Sequence, residues 1–192
     1  NGGSGTRHAY RSYFGRVKYD YAERYLAQVN VRTDGSSRFA SGHRWGTFPS
    51  LSAAWIISRE PWFRRGTVTF LKLRGSMGQL GNERIGSDFP YVGLMTLLDN
   101  YLPNSSGSTT TTKSAAQITY AYNDITWETT TTYDIGVDLG LFSNRLQVNF
   151  DGYYKKTRDM LISVGFPSFY GYNSPMANAA DMHTTGWDLE LQ

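Results

Sequence analysis

Residues 127–155 read WETTTTYDIGVDLGLFSNRLQVNFDGYYK. Through the first half every second residue is uncharged: Trp127, Thr129, Thr131, Tyr133, Ile135, Val137, Leu139 and Leu141. The residues between them include Glu128, Asp134 and Asp138. A period of two marks a strand, because successive side chains leave a strand on opposite sides. Phe142–Arg145 interrupts the pattern. Leu146, Val148, Phe150, Gly152 and Tyr154 then resume it, with Asp151 and Lys155 on the other side. The segment is a hairpin with one uncharged side and one polar side of both signs.

The same alternation recurs along the chain, and helical periodicity is nearly absent. It predicts about seven strands: Tyr13–Tyr21, Tyr25–Asp34, Ser50–Ser58, Phe70–Gln79, Trp127–Leu141, Leu146–Lys155 and Trp187–Gln192. Pro49 stands where a strand tolerates it, at the start of the third. The connections alternate in length. Ala22–Arg24, Arg59–Thr69 and Phe142–Arg145 are short; Gly35–Pro49, Leu80–Thr126 and Lys156–Gly186 are long. In an up-and-down sheet every second connection lies on one rim. Short turns on one rim and long loops on the other are the habit of outer-membrane barrels. Ser105–Thr112 (SSGSTTTT) reads as a flexible loop tip.

Val17, Val29, Val31, Leu51, Leu73 and Ile135 represent the uncharged side, on which no charge falls in any predicted strand. Arg16, Lys18, Arg32, Asp34, Lys72, Arg74, Glu128, Asp134 and Asp138 lie on the other. In a bilayer that division is lipid outside and an aqueous lumen inside, since a midplane charge on the lipid face costs ~2–4 kcal/mol. Aromatics cluster at the short turns: Tyr19, Tyr21 and Tyr25 at the first, Trp62 and Phe63 in the second, Phe142 opening the third. Such rings suit the headgroup interface. Seven strands are odd in number and too few for a wide polar lumen, and left open they leave two edges. The segment reads as a piece of a larger barrel.

Composition narrows the alternatives. Aromatics make up 15% of the 192 residues and charged residues only 18%, which argues against disorder. The absence of Cys removes disulfides, thiolate metal sites and cysteine nucleophiles. No apolar run approaches the ~18–20 residues of a membrane helix. The N-terminal Asn1–Gly5 has no signal-peptide character and starts as a Gly-rich loop would. The 19 basic residues only narrowly exceed the 16 acidic ones and are dispersed, the longest clusters being Arg64-Arg65 and Lys155-Lys156. Nucleic acid binding needs a basic stripe that is missing here.

At this point a family resemblance becomes specific. RVKYDYAERYLAQVNVRTDGSSRFASGHRWGTFPSLSAAWIISREPWF (Arg16–Phe63) resembles the SusC/RagA-like family of TonB-dependent outer-membrane transporters. Its pieces are the Tyr-x-Tyr-x-x-Arg-Tyr hairpin, Arg-x-Asp-Gly-Ser-Ser-Arg-Phe at Arg32–Phe39, Trp-Gly-x-Phe-Pro-Ser at Trp45–Ser50 and Trp-x-Ile-Ser-x-Glu-Pro at Trp55–Pro61. Leu71–Asn82, Ile125–Leu161 and Asn178–Leu191 resemble the blocks that follow, so the likeness covers most of residues 14–192. It implies an antiparallel all-β transmembrane barrel of about 22 strands, of which residues 1–192 form a partial domain without plug or remaining strands. It further implies an integral, multi-pass protein of the Gram-negative outer membrane, in contact with its lipid, that imports bulky nutrients, often oligosaccharides or peptides. A SusD-like surface lipoprotein would cap it, and TonB–ExbB–ExbD would energise it through parts absent here. No cofactor is implied.

Candidate contacts for cargo or lid lie in the long loops. They are Arg38, Phe39, His43 and Trp45 in the first, Tyr91, Tyr101, Tyr120 and Tyr122 in the second, and Phe166, Phe169, Tyr170 and Tyr172 in the third. Exposed aromatics stack on sugar rings or cover peptide side chains. The plainer account of each is packing within the loops. Gly35 would permit a turn, and Asp34 would accept the amides of Ser36 or Ser37. No catalytic constellation emerges. Asp134 and Asp138 would stand ~13 Å apart at ~3.3 Å per residue, beyond the ~5–9.5 Å of glycosidase pairs. His8, His43 and His183 lack metal spacing, and the glycines around Ser76 do not form a nucleophile elbow. The competing class is a soluble or surface β-sheet module that binds carbohydrate.

Overall fold

The computed structural model describes residues 5, 7–64, 66–86, 88, 90–93, 95–103, 109–118, 120–165 and 167–192. The main strands are β1 (Tyr10–Tyr21), β2 (Tyr25–Ser36), β3 (Trp45–Ile56) and β4 (Val68–Asn82), followed by β5 (Thr96–Pro103) and β6 (Thr109–Ala116). The chain continues through β7 (Glu128–Leu141), β8 (Leu146–Ser163) and β9 (Met176–Leu191). Seven of them form one antiparallel sheet in the order β1-β2-β3-β4-β7-β8-β9, and β5 and β6 pair only with each other. The sheet is open, with β1 and β9 at its edges.

All seven expected strands are present, and most are longer than the alternation indicated. β3 begins at Trp45, and Pro49 is inside it, one residue beyond the last β3–β4 pair, Ser50 with Gly78. Ser58 belongs to a short 3-10 turn, Ile57–Arg59. β8 runs for 18 residues and β9 for 16. The expected loop 156–186 therefore shrinks to the connection after Ser163. Lys156 and Arg158 fall there on the otherwise uncharged side, opposite Thr131 and Thr129, so the alternation did not mark it as strand. The second long loop contains the β5–β6 hairpin. Thr109–Thr112, expected in a loop tip, lie in β6, where β-branched residues fit the extended backbone. Ser105–Ser108 lie outside the described residues, as does Phe166.

Register fixes the two faces. Val17 pairs with Val29, Val29 with Leu51, Leu51 with Met77, Met77 with Tyr133 and Tyr133 with Tyr154. The next row joins Tyr19, Ala27, Ala53, Gly75, Ile135, Gly152 and Trp187. The uncharged positions thus form continuous belts across seven strands. A one-residue slip at any pair would have mixed the faces.

Among the described residues no second layer covers the sheet. Every residue of β1 is exposed. The described hydrophobic core is a cluster at the long-loop rim: Phe39, Phe48, Ile85, Ile125 and Trp127, with Tyr122, Leu161 and Met176 against it. It lies where β3 and β4 cease to pair, and the Phe48 ring covers Gly46 and Gly81. Trp127, expected on the uncharged belt, precedes β7 and is buried here, its indole Nε1 donating to the Arg44 carbonyl at 3.3 Å.

Candidate functional site

The polar face gathers charge from strands far apart in sequence. Lys72 Nζ donates to Asp138 Oδ2 (3.1 Å) and Arg74 Nε to Asp138 Oδ1 (3.0 Å). Arg74 Nη2 also reaches Asp151 Oδ2 at 2.6 Å. Arg74 and Asp151 are two strands apart, and both pair with Gly136 between them. A side chain on Gly136 would collide with the Asp151 carboxylate and the Arg74 guanidinium, so the bridge exists because that position has none. Asp134 pairs across with Ser76 and borders a concavity of about 540 Å³ that Lys18, Lys72 and Arg74 also line.

A second group lies higher on β1 and β2. Arg32 Nε donates to both Asp34 oxygens at 2.8 Å, and its Nη2 lies 3.5 Å from the Tyr10 hydroxyl and 3.3 Å from Ser12 Oγ. Arg16 Nε donates to Asn30 Oδ1 (2.6 Å), and Asn30 Nδ2 to Ser50 Oγ (3.0 Å). Two sequence expectations fail here. Asp34 is held by Arg32, while the Ser36 amide bonds the Arg44 carbonyl and the Ser37 amide the Ala9 carbonyl. Gly35 makes no turn. It is extended within β2 opposite Trp45, whose ring lies where a side chain would stand. Glu128, on the same face, accepts from Asn82 Nδ2 (3.2 Å) and the Leu161 amide (3.1 Å). Register therefore puts Arg16, Lys18, Arg32, Asp34, Lys72, Arg74, Glu128, Asp134 and Asp138 on one face.

The loop candidates are not one cluster. Phe39 is buried in the core of the long-loop rim. Arg38 pairs with Asp88 (3.1 Å) and stands 3.8 Å from Glu83, which also meets His8 at 3.4 Å. Tyr91 donates to the Ser37 carbonyl at 3.3 Å. Trp45 is on the uncharged belt, stacked on Tyr13 with ring centres 5.9 Å apart. Tyr172 packs against Tyr120 at 5.7 Å, and Tyr120 against Tyr122. Tyr101, on the β5–β6 hairpin, and the adjacent Phe169 and Tyr170 are exposed. His43 Nδ1 is buried with no hydrogen-bond partner among the described residues. Among the described residues no group of three or more His, Asp or Glu could hold a metal ion.

The short-turn rim holds a carboxylate that the alternation gave no reason to single out. Glu60 is buried. Its Oε1 accepts from the Tyr25 hydroxyl (2.7 Å) and Trp55 Nε1 (2.9 Å), and its Oε2 from Arg24 (3.3 Å). The Tyr25 hydroxyl, then the Trp55 indole, hold the Glu60 carboxyl below the ordinary glutamate range. Tyr25 stacks on Trp55, and Trp55 meets Trp62 edge-on. The Glu-Pro pair within the Trp-x-Ile-Ser-x-Glu-Pro block was the available sequence signal.

The opposite face is apolar and bare. Val17 is 70% exposed, Ile135 66% and Trp187 68%. A soluble monomer rarely exposes a contiguous apolar patch beyond a few hundred Å², and this belt crosses all seven strands. Each strand of the seven-stranded sheet has at least the ~9–11 residues that cross a bilayer. A lipid-type belt, a charged opposite face and an aromatic rim define a segment of a transmembrane β-barrel. The chain belongs to the family of TonB dependent receptor-like β-barrels, whose model matches residues 1–192, and whose members are outer-membrane proteins.

Over 189 residues it is 38% identical to the TonB-dependent receptor SusC of Bacteroides thetaiotaomicron, covering 97% of this chain and 18% of SusC. It is 36% identical to the TonB-dependent receptor P39 of Formosa agariphila, covering 99% of this chain and 18% of P39. The structure of the RagAB peptide transporter superposes with a TM-score of 0.82 at 30% identity, covering 96% of this chain and 20% of that one. The siderophore receptor PirA of Pseudomonas aeruginosa, at 12% identity and TM-score 0.58, shares the fold alone. The chain thus spans less than a fifth of the length of these curated relatives.

Proposed function

We propose that this chain is part of the wall of a TonB-dependent outer-membrane importer of a bulky nutrient, an oligosaccharide or a peptide. The observation that carries the reading is the division of one open sheet into an uncharged belt and a charged face. Unpaired edges do not persist in lipid, so β1 and β9 call for neighbouring strands that close the barrel. The charged face then lines the lumen. The long-loop rim faces outward, where a SusD-like surface lipoprotein caps the opening. The short-turn rim faces the periplasm, and TonB–ExbB–ExbD acts through parts of the protein outside this chain. The likeness to the TonB-dependent receptor SusC and to the RagAB peptide transporter supports nutrient import. Exposed Tyr101, Phe169 and Tyr170 are the proposed contacts for cargo or cap, with Tyr172 and Tyr91 bracing their loops. Arg38 and Phe39 hold the first loop in shape, and Trp45 acts as an outer-rim anchor.

The test joins fractionation to growth. The intact receptor should stay in the outer membrane through salt and carbonate washes and leave it only with detergent. Deleting its gene should abolish growth on either an oligosaccharide or a peptide mixture as sole carbon source. Replacing Phe169 and Tyr170 with Ala should slow that growth without lowering the amount of receptor. Release by salt alone would instead favour a surface-bound carbohydrate module.

A further inference from the structure

We infer that the upper polar face of β1 and β2 carries a carboxylate-binding site for cargo, with Arg16 as its recognition residue. The inference rests on the import reading and specifies the chemistry of what is imported. The site is a cavity of about 400 Å³ on the long-loop side of the sheet. Arg16, Tyr10 and the Arg32–Asp34 pair contribute to its wall, Asn30 and Ser50 extend it across β2 and β3, and Leu80 supplies an apolar side.

Arg16 and Arg32 differ in what they have left to give. Arg32 is committed: Asp34 balances its charge, and Tyr10 and Ser12 engage its Nη2. Arg16 is fixed through Nε alone, by the 2.6 Å bond to Asn30, which Ser50 orients in turn. Among the described residues neither terminal nitrogen of Arg16 has a hydrogen-bond partner, and no carboxylate neutralises it. An anchored guanidinium with free terminal N–H groups matches the two oxygens of a carboxylate, which an ammonium would meet only as a point charge.

The wider face favours the same ligand. On the polar face β1 and β2 carry Arg16, Lys18 and Arg32 against Asp20 and Asp34, whereas the charges of β7 and β9 on that face are Glu128, Asp134, Asp138, Asp188 and Glu190. Lys72 and Arg74 are neutralised at the seam by Asp138 and Asp151. A carboxylate is therefore drawn to the β1–β2 side and repelled from the other. Leu80 is 72% exposed beside the cavity, so the carboxylate is best carried next to an apolar group. A peptide C-terminus with an apolar last residue and a uronic acid at the end of an oligosaccharide share the required group.

The experiment uses the intact receptor in lipid nanodiscs and titrates two matched pairs. One pair is a short peptide ending in Leu with a free or an amidated C-terminus. The other is an oligosaccharide ending in a uronate or in its neutral sugar. The free carboxylate should bind more tightly within one pair, which also identifies the source. Arg16→Gln should weaken that ligand roughly tenfold to hundredfold, as expected for a lost charge-assisted hydrogen bond, and leave its neutral counterpart unchanged. Arg16→Lys should recover only part of the loss. Equal binding within both pairs, or an Arg16→Gln variant that keeps the preference while running as a folded, heat-modifiable band, would overturn the site. Discrimination kept by a receptor that supports no uptake would remove the import reading and retain the site. Uptake without discrimination would remove the site alone.

Discussion

At Gly136 the absence of a side chain determines which charges meet. Arg74 crosses over it to Asp151, so Gly136→Ala should force the two apart and destabilise the barrel by about 1–3 kcal/mol, the usual range for overpacking. Gly152→Ala, where nothing approaches the added carbon, should change stability by no more than about 0.5 kcal/mol. The temperature at which the folded band of the intact receptor shifts on a gel compares the two variants. Glu60 sets a second test. Its carboxyl lies below the ordinary range in the folded protein because Tyr25 and Trp55 donate to its charged form. The stabilisation is therefore complete above the unfolded glutamate value of about 4.3, and is lost as pH falls from there through the lower folded value. Tryptophan emission from Trp55 and Trp62 should hold steady at neutral pH and change below about pH 4. Glu60→Gln should flatten that change.

The short turns concentrate backbone strain at the scale of elements. Ala22 and Glu23 both have φ of 52°, and the Arg24 amide closes on the Tyr21 carbonyl at 3.0 Å. Two consecutive positive φ values are those of a type I′ turn, which favours Asn-Gly. Side chains support that turn at two points: Asp20 accepts the Glu23 amide at 2.9 Å, and Arg59 meets the Glu23 carbonyl at 3.4 Å and pairs with its carboxylate. The double variant Ala22→Asn, Glu23→Gly should stabilise the hairpin by roughly 1 kcal/mol, since the left-handed region costs an ordinary residue about that much. Urea midpoints of refolding into vesicles measure it. The turn length was legible from Tyr21 and Tyr25, but its handedness was not, because neither Ala nor Glu advertises a positive φ. The outer extensions of β8 and β9 were equally hidden. Above the lipid a strand no longer needs one uncharged side, so its alternation fades while its ladder continues.

For the whole molecule, the belt and the charged face make opposite demands on a new charge. Ile135→Arg, on the belt, should destabilise the inserted barrel by about 2–4 kcal/mol. Ser52→Arg, on the polar face, should leave it near the original stability. Urea midpoints in vesicles separate them. Single cysteines at Val17, Val29 and Val31 should resist a water-soluble thiol reagent in membranes, and one at Gln28 should react. Labelling of the first three would reverse the orientation of the sheet. The β5–β6 hairpin pairs only with itself, outside the seven-stranded sheet, and leaves Tyr101 exposed.

The sequence by itself determined the strands within the bilayer, their two faces and the alternation of short and long connections. Each follows from a local period of two and from the cost of a charge in lipid. Tertiary structure alone decided which charges pair across strands, that Asp34 serves Arg32 and not the following loop, and that Trp127 turns into the loop core. It also decided that Glu60 is buried under Tyr25 and Trp55. Those outcomes depend on register and on the space left by Gly35, Gly81 and Gly136. Register becomes defined only when strands distant in the chain align side by side.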